Sequence, residues 1–163
     1  IGGLAVGEPK SVMGEILKQM GNLLPPEKPR YLMGVGAPED ILDAVEQGVD
    51  MFDCVMPTRN ARSGGVFTWA GKLQIRNACH EESRGPLDER CSCYCCKTFT
   101  RAYLHHRFSK KVEEIMGMIM LTLHNLTFFQ DFTAAIRGSI REGRFKEFKE
   151  QFLSKYRKNG EIS

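Results

Sequence analysis

The sequence has no long hydrophobic run. None of its apolar stretches approaches the ~20 residues that a helix needs to cross a bilayer, so we expect no membrane span. The first residues, Ile1-Gly2-Gly3, are not a signal peptide, and the chain opens without an initiator methionine. We therefore expect a fragment of a longer protein.

Low-complexity tracts are also missing, as is any internal repeat beyond an alternation of strand and helix. Charged residues make up 26% and hydrophobic residues 42% of the 163 residues, as in ordinary globular proteins. This length is enough for one domain with a real core and too short for two.

Charge is unevenly distributed along the chain. Residues 1–50 contain four lysines and arginines against eight aspartates and glutamates, whereas residues 51–163 contain nineteen against twelve. A basic half suggests a polyanionic partner such as RNA. On charge alone, however, a solvated helical surface explains the pattern better.

The cysteines are crowded rather than spread. Four of the six fall within six residues: Cys91, Cys93, Cys95 and Cys96. They are too close together for a disulfide framework, and they favour a metal site in a reducing compartment such as the cytoplasm. Closely spaced thiolates and one distant ligand form a closed tetrahedral zinc site. The candidates for the distant ligand are His124, His105 and His106, and one cysteine is a spectator.

The first third of the chain alternates between strands and helices. The predicted strands are 3–6, 31–35 and 49–55. The predicted helices run from Ser11, as N-cap, to Pro25-Pro26, and from Pro38 to Gly48. This βαβαβ order predicts parallel strands with right-handed connections, but it does not distinguish a barrel from an open sheet.

The pattern changes after Pro57. Residues 58–90 are rich in turn formers, with a predicted hairpin of 66–69 and 73–75 across 70–72. Helical stretches follow the cysteines, at 100–108, 112–121, 125–142 and 145–156.

Asp53 stands near the carboxyl end of an otherwise apolar strand. Active sites gather at that end in parallel α/β folds, and a carboxylate among apolar neighbours is costly unless it is paired or used. Without further evidence, a loop cap or an ion pair with Arg59 explains it slightly better, and Asp50 is a rival at the strand's start. Arg59 and Arg62 follow directly and suit phosphate groups, although exposed arginines are usually just solvated.

Four segments carry a family resemblance. They are Gly2-Gly3-Leu4-Ala5-Val6-Gly7-Glu8, Pro29-Arg30-Tyr31-Leu32-Met33-Gly34-Val35-Gly36, Asp50-Met51-Phe52-Asp53-Cys54-Val55-Met56-Pro57-Thr58-Arg59 and Cys91-x-Cys93-x-x-Cys96. Occurring in this order, from Ile1 to about Tyr156, they resemble the bacterial tRNA-guanine transglycosylases, the queuine tRNA-ribosyltransferase family.

The resemblance implies an α/β fold, the C-terminal portion of an irregular (β/α)8 TIM barrel with a zinc-binding subdomain. Residues 1–57 would form the last βα units of the barrel. Residues 58–124 would form tRNA-contacting loops and the zinc-binding subdomain, and residues 125–163 a C-terminal barrel helix and a basic helical tail.

The resemblance also assigns roles to residues. Asp53 matches the family's nucleophile. Gly3 and Leu4 match positions whose backbone meets the bound base, and Met33 lies in its pocket. The matching tRNA contacts are Gly34, Val35, Gly36, Ala37, Pro38, Glu39, Asp40, Thr58, Arg59, Asn60, Ala61 and Arg62. The matching zinc ligands are Cys91, Cys93, Cys96 and His124, which leaves Cys95 as the spectator.

The implied reaction exchanges guanine at the wobble position of certain tRNA anticodons for a deazaguanine precursor of queuosine. Asp53 would form a covalent ribosyl-enzyme, with net retention after two inversions. The family's acid/base and base-reading residues lie in an N-terminal half, so we expect the isolated chain to be inactive. The expected partners are tRNA, the deazaguanine base, one structural zinc ion and, at full length, a second copy of the chain.

A non-catalytic alternative is a zinc-stabilised RNA-binding module or partner subunit. The βαβαβ segment and Asp53 argue against it, because a pure RNA-binding finger needs neither.

Overall fold

The computed structural model describes residues 1–4, 10–109, 112 and 114–158. Contacts divide the chain into two compact units, Ile1–Met56 and Pro57–Ser163, where the length predicts a single domain. Each unit has a hydrophobic cluster of its own. The mixed helix and strand content agrees with the expected α/β class. Among the described helices, none combines the length and the apolar character that crossing a bilayer demands.

Within its described residues, the first unit contains two helices and one pair of strands. They are α1 (Lys10–Leu23), β1 (Tyr31–Leu32), α2 (Pro38–Glu46) and β2 (Met51–Phe52). The strands pair in parallel, with Tyr31 opposite Met51, which confirms the predicted direction. Proline shapes both helices: α1 ends just before Pro25, and α2 begins at Pro38 with acidic residues in its first turn.

The strands are shorter than predicted. Segments 31–35 and 49–55 keep only two paired residues each, because the backbone leaves the ladder at Gly34. That glycine has a φ of 76°, and its N–H donates to the Asp53 side chain instead of to a neighbouring strand. Ser11 lies inside the first turn of α1, so its predicted capping role is wrong. Of the predicted strand 3–6, residues 5 and 6 lie outside the described residues.

The second unit combines a hairpin with helices. Its described elements are α3 (Met56–Arg62, beginning at the boundary), β3 (Gly65–Thr68), β4 (Gly71–Gln74), a 3-10 helix (Ala78–His80), α4 (Tyr94–Thr98), α5 (Arg101–Arg107), α6 (Ile115–Arg141) and α7 (Phe145–Lys158). The hairpin turn is tighter than predicted, since Gly71 pairs with Thr68 instead of lying in the turn. The short helix α3 falls largely where we predicted turns, and α4 lies in the cysteine cluster, for which no element was predicted.

A single helix, α6, replaces the two helices predicted at 112–121 and 125–142. Nothing between them breaks the helix, because the Thr122 hydroxyl donates to the Met118 carbonyl one turn earlier and is satisfied within it. His124 therefore lies in the middle of a long helix, where its position is fixed by neighbours on both sides.

Aromatic rings join α6 and α7 to the hairpin. Phe67 of β3 stacks on Phe128 at 6.1 Å between ring centroids, and Phe132 contacts Phe152 of α7 at 4.8 Å. Trp69, in the hairpin turn, meets Phe128, Phe132 and Phe152 edge to face. Such pairs contribute beyond the apolar area they bury, so they anchor both helices against β3.

Candidate functional site

In the first unit, the chain start lies beside β1, and β1 and β2 end at the same edge. The Ile1 carbonyl accepts a hydrogen bond from the Met33 N–H at 2.9 Å, which places the chain start beside β1. Met33 follows β1 and Asp53 follows β2, so both stand at the carboxyl ends of parallel strands. Gly2 approaches the Met33 sulfur, and a Cβ added there would lie 3.6 Å from it. The structure therefore brings Met33 and Asp53, both predicted site residues, to one edge, with Ile1 and Gly2 beside Met33.

The Asp53 carboxylate is exposed and held by two donors. Its Oδ1 accepts a hydrogen bond from the Tyr31 hydroxyl at 2.7 Å and another from the Gly34 N–H at 3.0 Å. These bonds lower the pKa of Asp53, with the Tyr31 bond as the first cause and the Gly34 amide as the second. Asp53 in turn raises the pKa of Tyr31, mainly through the same hydrogen bond. The arrangement keeps the acid ionised and the phenol protonated.

Asp50 is held differently from Asp53. Its Oδ2 accepts a hydrogen bond from the Arg30 N–H at 2.8 Å, at the start of β2. It therefore bridges the beginnings of the two strands, away from the edge where Met33 and Asp53 lie. This position suits a structural role.

The segment 34–40 is partly buried. Gly36 lies so close to Cys54 that an added Cβ would come within 2.2 Å of the sulfur, so only glycine fits. Val35 and Pro38 are buried, while Met33 is 51% exposed. The buried positions fix the path of the segment, in which Gly34 is exposed and Glu39 and Asp40 are half-buried.

In the second unit, α3 carries the predicted arginines. Arg59 and Arg62 are exposed, whereas Ala61 between them is fully buried in the core. Because residues three apart lie on one side of a helix, both guanidinium groups project from the same exposed side. Thr58 and Asn60 are half-buried.

Four predicted ligands form a compact group in this unit. One atom from each of Cys91, Cys93, Cys96 and His124 lies within 4.8 Å of the others. Nδ1 of His124 is 3.2 Å from the Cys96 sulfur and 3.7 Å from the Cys93 sulfur. Ordinary zinc bond lengths in a tetrahedron place nitrogen and sulfur ligands ~3.5 Å apart. The donor set and its spacing fit a structural zinc ion.

Short elements position the ligands. Cys93 is the N-cap of α4, and its sulfur accepts the Cys96 N–H at 3.4 Å, which brings both thiols to one side. On α6, Nε2 of His124 bonds to the Phe67 carbonyl at 2.8 Å. Because a carbonyl only accepts, Nε2 carries the proton and Nδ1 is the nitrogen that faces the thiols. The rival His105 instead bonds to the Ile75 carbonyl at 2.8 Å.

The pKa values of the clustered groups are shifted in different directions. The pKa of Cys93 is lowered to about 3, first by the hydrogen bond with Cys96, so Cys93 is a thiolate. Burial lowers the pKa of His124, but hydrogen bonds with the thiols outweigh burial and raise it to about 9. Burial is the first cause that raises the pKa of Cys95 to about 12. Cys95 is thus a neutral core residue. The hydrogen bond with Cys93 is the first cause that raises the pKa of Cys96, so the negative charge beside His124 is that of the Cys93 thiolate.

Two residues that support these sites escaped the sequence interpretation. Tyr31 was assigned only to a strand, although its hydroxyl holds Asp53. Asn125 was assigned only to a helix, although it is fully buried and binds the hairpin. Its Oδ1 accepts the Phe67 N–H at 3.0 Å, and its Nδ2 donates to the Pro57 and Gly65 carbonyls at 2.9 and 3.0 Å. The signal available in the sequence was a polar residue directly after a candidate metal ligand, and the structure shows that it is buried.

Comparison with known proteins adds independent evidence. Residues 1–158 match the family model described as Queuine tRNA-ribosyltransferase. Proteins of that name from Francisella tularensis subsp. tularensis (strain SCHU S4 / Schu 4) and subsp. novicida (strain U112) are both 53% identical to this chain over 157 residues. A third, from subsp. mediasiatica (strain FSC147), is 52% identical. These matches cover 96% of this chain, which spans 42% of each relative's length.

Proposed function

Because the chain belongs to the queuine tRNA-ribosyltransferase family, we propose that Asp53 is the nucleophile of a base exchange on tRNA. The observation that carries the proposal is the exposed carboxylate at the end of β2, held by Tyr31 and Gly34. A nucleophile needs a free electron pair and a fixed direction, and these two donors supply the direction while keeping the group ionised.

The proposed reaction proceeds in two displacements. An Asp53 oxygen attacks the anomeric carbon of the wobble nucleotide, the bond from ribose to guanine breaks, and guanine leaves after gaining a proton. The incoming deazaguanine base then attacks the same carbon, loses its proton and releases the Asp53 carboxylate. Two inversions restore the original configuration. We propose that the acid for the departing guanine lies in the part of the family's length that this chain does not span.

The neighbouring residues then have distinct roles. The backbone of Gly3 and Leu4 and the side chain of Met33 would contact the exchanged base next to Asp53. The segments 34–40 and 58–62 would contact tRNA, with Arg59 and Arg62 on phosphate groups. The phenol of Tyr31 would orient the nucleophile.

Zinc would have a structural role in this scheme. Cys91, Cys93, Cys96 and His124 would hold one ion, which supplies folding free energy by joining α4 to α6. The family's (β/α)8 barrel, with residues 1–57 as its last units, remains part of the proposal. The proposal also includes a zinc-binding subdomain at 58–124 and C-terminal helices at 125–163. Two copies of the full-length protein would pair.

A chimera tests the proposed function. This chain would replace the matching segment of the Francisella tularensis relative, and incorporation of radiolabelled guanine into tRNA would be measured. We expect exchange by the chimera, no exchange by Asp53→Asn, and retained exchange by Asp50→Asn, the matched control at the start of β2. RNA binding without any exchange would instead support the zinc-stabilised RNA-binding module.

A further inference from the structure

A two-part cleft in the second unit lies outside every site described above. One cavity of about 390 Å³ and a neighbouring cavity of about 190 Å³ share three lining residues: Trp69, Arg90 and Lys155. Trp69 comes from the hairpin turn, Arg90 from the loop before the cysteines, and Lys155 from α7. The smaller cavity is completed by Phe148, Gln151 and Phe152, and none of its lining residues in the described part of the chain is acidic, whereas Asp88 and Glu89 also line the larger cavity.

Hydrogen bonds and stacking fix the positions of Trp69 and Arg90, two of the shared lining residues. The buried Asp88 carboxylate accepts the Trp69 N–H at 2.7 Å with one oxygen and the Arg90 N–H at 2.8 Å with the other. The Arg90 guanidinium lies over the Trp69 ring, 4.4 Å from its centroid. Both Asp88 oxygens accept hydrogen bonds from backbone groups, and the Arg90 side chain stacks on the Trp69 ring. The stacked pair is therefore preorganised for a ligand.

The cationic side chains that line the cleft differ in whether they can bind an anion. Arg101 lines the larger cavity, but its Nε and Nη2 donate to the Pro86 and Leu87 carbonyls at 2.7 and 3.0 Å, so it supports the loop. Gln151 donates one amide hydrogen to Glu147 at 2.9 Å, which leaves its carbonyl oxygen as an acceptor. Arg90 and Lys155 are thus the cations that can bind an anion, beside aromatic rings and an amide.

From this combination we propose that the cleft binds one nucleotide of single-stranded RNA. A phosphate lies between Arg90 and Lys155, and the base packs against the rings of Phe148 and Trp69. Paired cations and aromatic rings are how proteins hold single strands, because every base has a stacking face and every nucleotide a charge. The choice of RNA rests on the proposed function, but the cleft is a contact separate from the arginines of α3.

The chain offers an unusually direct reporter, since Trp69 is its only tryptophan. Titrating the 163-residue chain with a short oligouridylate should change Trp69 fluorescence saturably, because a base near the ring alters its emission. Inorganic phosphate alone should compete weakly and leave the plateau of the RNA titration unchanged. Competition by phosphate at the same concentration as RNA nucleotides would overturn the nucleotide assignment in favour of a free-phosphate site.

Substitutions then test the two cations. For single strands each phosphate contact contributes ~0.7 to the slope of log affinity against log salt, so Arg90→Gln and Lys155→Gln should each weaken binding about fivefold near 0.1 M salt. Lys146→Gln, on the same helix but outside the cleft lining, is the matched control and should bind as the unsubstituted chain does. Circular dichroism and zinc content check that each variant is folded.

The outcomes separate this inference from the proposed function. If Arg59→Ala weakens RNA binding while both cleft variants bind normally and Trp69 fluorescence is silent, the cleft proposal is wrong and the function stands. If the cleft variants weaken binding while Asp53→Asn leaves base exchange intact in the chimera, the cleft proposal stands and the function is wrong.

Discussion

Replacing each of two adjacent cysteines by alanine should separate the metal site from the hydrophobic core. The Cys96 sulfur lies 3.2 Å from Nδ1 of His124 and belongs to the candidate ligand group. The Cys95 sulfur is fully buried in the core of the second unit and outside that group. Each substitution removes one sulfur atom, and the two positions are adjacent. The difference between the two variants therefore excludes the loss of unfolding free energy that any removed thiol would cause.

The expected magnitudes differ widely. Cys95→Ala removes one buried sulfur, which should cost about 1 kcal/mol of unfolding free energy, on the scale of a lost methylene or two. That loss corresponds to roughly 2–4 °C in melting temperature for a chain of this size. A structural zinc ion contributes ~10–16 kcal/mol in small zinc-binding peptides. Loss of one of four ligands by Cys96→Ala should therefore cost several kcal/mol and release the metal.

Elemental analysis after dialysis against a mild chelator, followed by thermal melts, measures both effects. We expect one zinc per chain in the unsubstituted protein and in Cys95→Ala, and less than half an equivalent in Cys96→Ala. Zinc retained by Cys96→Ala but lost from Cys95→Ala would refute the ligand assignment. An unsubstituted chain that contains no zinc, and whose melting does not respond to the chelator, would refute the metal site itself.

Three further substitutions probe the candidate sites. Tyr31→Phe removes the main cause of the lowered pKa of Asp53, so that pKa should rise, and the carboxylate should become protonated at a higher pH in a carbon-13 NMR titration. Asn125→Ala leaves three backbone groups of the hairpin region without a partner and should lower the free energy of denaturant-induced unfolding by about 3 kcal/mol or more. Arg59→Ala and Arg62→Ala should each weaken RNA binding and reduce the salt slope by roughly 0.7 in fluorescence anisotropy.

The Asn125→Ala prediction has a control within the chain. Leu126→Ala, on the exposed side of α6 next to Asn125, should change the unfolding free energy by no more than about 0.5 kcal/mol. An equally small effect of Asn125→Ala would contradict the role of its hydrogen bonds. An unchanged Asp53 titration in Tyr31→Phe would show that the phenol does not hold the carboxylate. If the slope of log RNA affinity against log salt is the same with and without the α3 arginines, these arginines do not contact RNA.

Local patterns predicted the group of candidate metal ligands that the structure brings together. Thiol spacing is a property of a few neighbouring residues, so the cysteine cluster could be recognised from sequence. Its distant ligand was open between His124, His105 and His106 until the resemblance favoured the first, and the structure brings that residue to the thiols. Which histidine is the distant ligand depends on which residue of the long helix α6 faces α4. No local sequence pattern contains that information.

Features that depend on contacts distant in sequence were missed or misplaced. The strands around Tyr31 and Phe52 are short because a side chain, Asp53, takes the backbone N–H that a strand would use. The interruption predicted before Asn125 is absent, because tertiary bonds to the hairpin and a satisfied threonine keep α6 continuous. The roles of Tyr31 and Asn125 both arise from hydrogen bonds across more than twenty residues, beyond the reach of periodicity.

Covalent trapping tests the central claim most directly. The chimera that contains this chain would be incubated with tRNA, denatured, and separated on a gel that resolves protein from a protein–RNA adduct. We expect an adduct with Asp53 present and, with Asp53→Asn, no adduct although tRNA still binds, because an amide of the same shape cannot displace guanine. A denaturant-resistant adduct formed by the Asp53→Asn variant would contradict the assignment of Asp53 as the nucleophile.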